Sequence, residues 1–405
     1  MSGQHLRKSA LALAATALAV MLWSSKSGHA GTPEGNREHL QDLLYREALF
    51  HHYQRDNFSA ITHLEAARDK QPKKEPLTDT ELLLVRMKLA FGVHENADRV
   101  LRRLREEDIP EAQTNTAWYE LAETLFRKGY PAAANEALNS LRGRVPEDIA
   151  GNVQLLRANV LMALRRYAEA ARALENWRGP RALASYARFN RGIALWRAGN
   201  QSEAVSSLEL VADTRAEDEE GLALKDRANL TLGYIALRGE DPGQAREHFK
   251  KVRRQGPYAN RALLALGLVE QAQGRPDEAL SVWMTLRDRA SADPAVQESY
   301  LAVPYALREQ RAPKAAHHYE QAVASFSREL EEVNVARETV QEEKNLDRLL
   351  RNARASGAVG SQRDEASAKH PESRYLGRLI ASRRFQETSL GHLDLLAMLA
   401  DLDQS

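Results

Sequence analysis

The chain offers few residues in spacings that carry chemistry. Gln297-Glu298-Ser299 is one, because a glutamic acid held above its ordinary pKa can act as a general acid on a glycosidic bond. His51–His52 and His317–His318 are two more, since adjacent imidazoles suggest a metal site. Successive residues on a helix point about 100° apart, however, so neither pair closes on one ion. The 405 residues include no cysteine, which removes thiolate ligands, thiol nucleophiles and disulfides together. Asn57-Phe58-Ser59, Asn200-Gln201-Ser202 and Asn229-Leu230-Thr231 fit the glycosylation sequon and read as chance matches. There is no His-Glu-x-x-His, no Gly-x-Ser-x-Gly and no phosphate-cradling glycine loop. No metal, no cofactor and no enzymatic activity is expected.

The residues that do recur are structural. Ala60, Ala97, Ala134, Ala170, Ala204, Ala245, Ala279 and Ala315 stand 37, 37, 36, 34, 41, 34 and 36 residues apart. Four residues after each comes a large apolar side chain: Leu64, Leu101, Leu138, Leu174, Leu208, Phe249, Trp283 and Tyr319. Twelve residues before each comes a small or β-branched one: Ala48, Val85, Ala122, Ala158, Gly192, Gly233, Gly267 and Val303. A fixed period in the thirties marks a repeat array. Apolar residues at i, i+3, i+4 and i+7 make each half of the unit an amphipathic helix. The small residue and the alanine let the two axes approach, and the large residue one turn later fills the space beyond. Gly92, Gly129, Gly199 and Gly274 fall seven residues after the small residue, where the first helix must stop and glycine accepts a positive φ. The longest interval contains Ala212 to Gly221, an acidic stretch that reads as a lengthened connection.

Residues Ala117 to Pro146 resemble the tetratricopeptide repeat (TPR) family, with Trp118, Leu121, Ala122, Gly129, Ala134, Leu138, Leu141 and Pro146 at its pattern positions. Ala158, Leu161, Tyr167, Ala170 and Leu174 match it in the next unit, and the resemblance extends over residues 38–325. It implies an all-α fold: a right-handed solenoid of about eight helix–turn–helix repeats. It also implies that first-helix positions facing away from the second helix line a concave groove. Mapped onto this chain, those positions give Tyr119, Phe126, Arg127, Asn159, Phe189, Trp196, Arg197, Tyr234 and Arg238 as partner-binding candidates. Aromatics and arginines are the usual anchors of protein interfaces. A groove lined by them suits a peptide with apolar and acidic residues. The competing reading is that the superhelix closes and these aromatics pack against neighbouring repeats. Glu298–Ser299 resembles the Glu-Ser start of a lytic transglycosylase site, but the downstream Gly-Leu-Met-Gln-type segment is missing. A glycan-active or accessory protein of that kind is the alternative function.

The two ends read differently. Arg7 and Lys8, the apolar run Ala10 to Trp23, and Gly28 and Ala30 as small residues form a secretory signal peptide over residues 1–30. An uncleaved anchor is its competitor, although 14 apolar residues fall short of the roughly 20 that span a bilayer. Removing residues 1–30 takes Arg7, Lys8 and Lys26, leaving 54 basic and 56 acidic residues. That balance gives no reason to expect nucleic acid or an anionic membrane surface. After a short linker (31–37) and the solenoid (38–325), Ala322, Phe326, Leu330, Val333, Ala336 and Val340 continue an apolar stripe into an extended helix over 326–356. A polar linker (357–373) and a helical arm (374–405) follow. The expected protein is a periplasmic scaffold that binds protein partners in envelope assembly, secretion or polysaccharide export.

Overall fold

The computed structural model describes residues 42–51, 57–69, 111–216, 218–289 and 293–341, with isolated positions 83, 84, 87, 375, 385, 388, 389, 392, 396 and 399. Among the described residues every regular element is helical. The signal segment, the second repeat's Ala97 and Leu101, and the polar linker at 357–373 lie outside them. The chain forms two compact units, Met1–Leu84 and Val85–Ser405.

In the first unit, residues 42–51 are helical and α1 runs Asn57–Asp69. Ala48, Ala60 and Leu64 are fully buried there, as the first repeat requires. His51 stacks on His63 with ring centroids 5.2 Å apart and planes at 11°, and His63 Nδ1 lies 3.2 Å from Glu47. Its partner in the sequence pair, His52, lies outside the described residues.

Among its described residues the second unit contains six helix pairs: α2 Glu111–Arg127 with α3 Pro131–Asn139, α4 Glu147–Ala163 with α5 Tyr167–Ala173, and α6 Ala184–Arg197 with α7 Gln201–Ala212. Then come α8 Glu219–Arg238 with α9 Pro242–Lys251, α10 Ala259–Ala272 with α11 Pro276–Arg287, and α12 Pro294–Glu309 with α13 Ala315–Gln341. Each helix packs on the next, and each even-numbered helix also touches the next even-numbered one, so the even helices form one continuous layer.

The residue columns explain the pairing. Ala134, Ala170, Ala204, Ala245 and Ala279 are fully buried on the odd helices. Opposite them stands the small residue of the even helix, and glycine occurs there against Leu208 as well as against aromatic rings. A Cβ on Gly233 would lie 2.4 Å from the Phe249 ring, and one on Gly267 would lie 2.1 Å from Trp283 Nε1. Alanine is tolerated at Ala122 and Ala158, where the partners are Leu138 and Leu174. Trp283 also satisfies its indole N–H by donating to the Leu264 carbonyl at 3.2 Å.

All six turns between an even and an odd helix have one geometry. A backbone N–H reaches the carbonyl five residues back, as in Tyr130 to Leu125, Arg166 to Leu161 and Asp241 to Ala236, all 2.8–2.9 Å. This six-to-one bond requires a left-handed residue just before it. Gly129, Gly199 and Gly274 fill that position, but so do Arg165, Glu240 and Arg311, with φ of 60°, 59° and 54°. Side chains on the even helices fasten two of the pairs to the segment after the odd helix. Asn115 accepts from Arg142 N–H at 2.9 Å and Asp226 from Arg253 N–H at 3.0 Å, and each stands seven residues before its small residue.

Two sequence expectations need correction. The acidic stretch is only partly a connection: Asp218 caps α8 by accepting from Gly221 N–H at 2.7 Å, and Glu219 to Gly221 form the first turn of a 20-residue helix. The terminal stripe is also shifted. α13 is continuous across residue 325, with 27 residues and about 40 Å of length. Its buried line is Ala315, Ala322, Glu329 and Ala336, spaced by seven, while Leu330 is 63% exposed. Glu329 is accommodated because Tyr375 donates its hydroxyl to it at 2.8 Å, with Glu332 a further acceptor at 3.2 Å.

Candidate functional site

The layer of even helices sets the site. Arg197 ends α6 and Arg238 ends α8, so stacking brings two guanidinium groups to one edge of adjacent repeats. Trp196, Arg197, Gly199, Gln201, Ile235 and Arg238 line an open cleft of about 640 Å³ there. Nothing stands within 4 Å of the position a Gly199 Cβ would take, which keeps the cleft clear beside the turn. The Trp196 ring is half-buried against the apolar core shared by α6, α7 and α8, and the Arg197 guanidinium carbon lies 5.7 Å from its centroid. Arg197 and Arg238 are exposed, and neither forms an ion pair among the described residues. The cleft therefore offers two cations, an indole face and an amide to a ligand.

Next to it, Tyr234 is 44% exposed on α8 and meets the Phe249 ring edge-on, centroids 5.3 Å apart. Partial burial pushes its phenol up; Arg261 opposes this and Glu298 adds to it. Tyr234, Arg261 and Glu298 thus share one electrostatic neighbourhood across α8, α10 and α12.

The structure does not bring the other expected residues to this place. Phe189 is 2% exposed and belongs to the core with Leu208, Val211 and Leu232, with the Arg227 guanidinium 4.6 Å from its ring centroid. It is a plug between α6 and α8 and presents no face to a ligand. Asn159 on α4 is half-buried and accepts from Asn190 Nδ2 at 3.4 Å. Tyr119, Phe126 and Arg127 sit on α2, two repeats from the cleft. There burial and then Glu123 and Glu120 raise the Tyr119 phenol while Arg127 opposes them.

Sequence reasoning missed Leu268 on α10, which is 48% exposed; Leu301 and Tyr305 on α12 are 50% and 47% exposed, at positions that on α10 hold the buried Ala265 and Val269. Arg308 lies 5.1 Å from the Tyr305 ring. Leu268 follows Gly267 as Tyr234 follows Gly233, so carrying the same position one repeat further identifies it. Of the motifs that suggested chemistry, Gln297-Glu298-Ser299 lies on α12 and His317–His318 on α13. Glu298 is exposed on α12, whereas Ser299 is fully buried and donates to the Val296 carbonyl at 2.6 Å. His318 Nδ1 accepts from Arg287 at 2.9 Å, and His317 Nε2 meets the Gln321 amide at 3.0 Å. Among the described residues no three ligating side chains converge.

The tetratricopeptide repeat family model matches residues 155–220 and 230–293. Among curated proteins none matches the sequence. Among solved structures, the apo form of RapI is 11% identical with a TM-score of 0.48, covering 88% of this chain and 99% of its own. PilF of Pseudomonas aeruginosa is 15% identical with a TM-score of 0.35, covering 65% and 97%. MamA is 18% identical with a TM-score of 0.32, covering 40% and 89%.

Proposed function

With the chain identified as a tetratricopeptide-repeat protein, we propose that it is a scaffold whose even-helix face holds acidic, apolar segments of protein partners. TPR arrays are binding surfaces, and no helix among the described residues is long and apolar enough to cross a membrane. The observation that carries the reading is the cleft at Trp196, Arg197 and Arg238. Two exposed arginines without ion-pair partners among the described residues favour a carboxylate, and the indole beside them favours an apolar neighbour. The protein works in the periplasm after cleavage behind Ala30, serving envelope assembly, secretion or polysaccharide export. The n-region, apolar run and small residues of the first 30 positions support that location.

Two experiments test this. Trp196, Arg197 and Arg238 are changed together to alanine, and proteins crosslinked to the scaffold in cells are identified after purification. The expected result is loss of a reproducible set of envelope proteins with an unchanged circular dichroism spectrum; full recovery of that set would overturn the site. Intact mass of protein from the periplasmic fraction should show a chain starting at Gly31, whereas full-length chain in the inner membrane would replace export by anchoring.

A further inference from the structure

Arg287 ends α11, eight residues after Ala279, and α11 and α13 each pack on α12. Its guanidinium joins α11 to α13 directly. Nη1 donates to His318 Nδ1 at 2.9 Å and Nη2 donates to Gln321 Oε1 at 3.0 Å, both on α13. The guanidinium carbon also lies 4.5 Å from the Tyr300 ring centroid on α12, and Tyr300 meets Phe326 of α13 edge-on, centroids 6.4 Å apart. Three helices thus meet at one side chain. Arg253 stands eight residues after Ala245 and is held differently: its partners are the carboxylates of Asp226 and Glu219, at 2.8 Å and 3.1 Å. Carboxylates stay charged through neutral pH. Among the described residues no carboxylate pairs with Arg287; its acceptors are an imidazole, an amide and the Met284 sulfur at 3.9 Å.

A guanidinium is always protonated and only donates, so the imidazole must accept at Nδ1 and carry its single proton on Nε2. A second proton, added at Nδ1, removes the accepting lone pair and sets two cations 2.9 Å apart. The groups facing His318 do not compensate that charge. Arg287 reaches it from α11, Lys314 and His317 lie near it on α13, and α12 contributes the uncharged Tyr300 ring beneath Arg287. We propose that the Arg287–His318 contact is an acid-sensitive latch: it holds the start of α13 closed on the array at neutral pH and releases it when the imidazole is protonated. Burial, and then Arg287, keep the closed imidazole below its ordinary value of 6.5; His317 and Lys314 add to this and the Gln321 amide opposes it. A base depressed in the closed state binds its proton more readily in the open state. The latch is therefore whole above the ordinary histidine range and weakens as pH falls through 6.5 towards the lower value of the closed state. It is independent of the cleft at Trp196, Arg197 and Arg238 and adds a response to acid at the last helix pair.

The test is amide hydrogen exchange of the full chain at about pH 7.5 and about pH 5, corrected for intrinsic rates. That window crosses the histidine range and leaves most carboxylates ionised. Peptides covering residues 315–326 should exchange about three-fold faster or more at the lower pH, while peptides of α4 and α6 keep their rates. The response should persist in His317→Gln and vanish in His318→Gln, whose amide does not titrate; exchange in that variant that is fast at both pH values supports the latch equally, because the acceptor has been removed. The His318 ring, assigned by NMR through the resonance missing in His318→Gln, should titrate below 6.5 in the wild type and closer to it in Arg287→Met. An acid response that survives in His318→Gln, or none in the wild type, would overturn the latch. So would equal acceleration in α4 and α6, which marks loosening of the whole array, or a His318 titration that Arg287→Met leaves unmoved.

Discussion

The even-helix layer is built from the same positions throughout, yet its two halves behave differently. Along α4 and α6 the outward positions are closed: Phe189 is a core residue, Asn159 is paired with Asn190, and Leu155, Met162 and Ile193 are half-buried. Along α8 and α10 the residue after the small one is open, with Tyr234 44% and Leu268 48% exposed. The difference follows from where each repeat keeps its bulk. On α6 the Phe189 ring fills the space against α8. In the next two pairs the aromatic moves to the odd helix, as Phe249 and Trp283, and glycine stands opposite it. In those two pairs the residue after the glycine, Tyr234 or Leu268, is exposed. The cleft of Trp196, Arg197 and Arg238 sits at the boundary between the halves.

The largest test of this contrast is a pair of truncations. Phe189→Ala should cost about 3–5 kcal/mol in urea unfolding, because it empties a packed core site. Tyr234→Ala should cost under about 1 kcal/mol, and its effect should fall on partner capture instead. Similar costs for the two would erase the distinction between halves.

A second test moves the bulk. Gly267→Ala brings a Cβ to 2.1 Å from Trp283 Nε1 and should destabilise by about 1–3 kcal/mol despite alanine's better helix propensity. Adding Trp283→Leu reproduces the Ala122–Leu138 arrangement and should recover part of the loss in a thermal melt. A double variant worse than the sum of the singles would mean that the Trp283 ring is not what excludes a Cβ at Gly267.

The third concerns the charged joint that stiffens the open half. Glu270 is buried and accepts from Arg246 Nε at 2.6 Å and Arg275 Nε at 2.5 Å. Burial works against its carboxylate, but the two arginines prevail and hold it below its ordinary value of 4.5. With the folded pKa depressed, the contribution to stability is present above the ordinary carboxylate range and is lost as pH falls through the folded pKa. Glu270→Gln should cost about 1–2 kcal/mol at neutral pH, because both arginines retain partial contact with water. The acid limb of its stability–pH curve should be shallower than wild type; an unchanged limb would assign the slope to other carboxylates.

The smallest effect belongs to the turns, which are alike in both halves. Arg165→Gly and Glu240→Gly should each stabilise by about 0.5–1 kcal/mol, since the left-handed backbone strains a side chain and glycine relieves it. A lower melting temperature for either would mean that its side chain supports the turn by contacts stronger than that strain.

Much of the fold was legible in one dimension. A helix pair brings residues twelve and sixteen positions apart into contact, so a packing rule repeated along the chain leaves columns of alanine, small and large residues. The turns were half legible: glycine announced three of the left-handed positions, but Arg165, Glu240 and Arg311 adopt the same φ because the six-to-one bond and the following helix impose it. On α13 periodicity alone favours Leu330, whereas in the fold Glu329 is the buried residue and accepts from a hydroxyl 46 residues away. Trp196, Arg197 and Arg238 come to one cleft because the helix period places them near the ends of adjacent even helices. Phe189 shares that periodicity and was assigned the same face, but exposure depends on the neighbouring repeat. The sequence determined the helices, their pairing and the candidate column, since each depends on residues within one repeat. Only the tertiary structure decided which members of that column face solvent, because burial there is set by α8 packing on α6, a contact between repeats that no spacing within a repeat encodes.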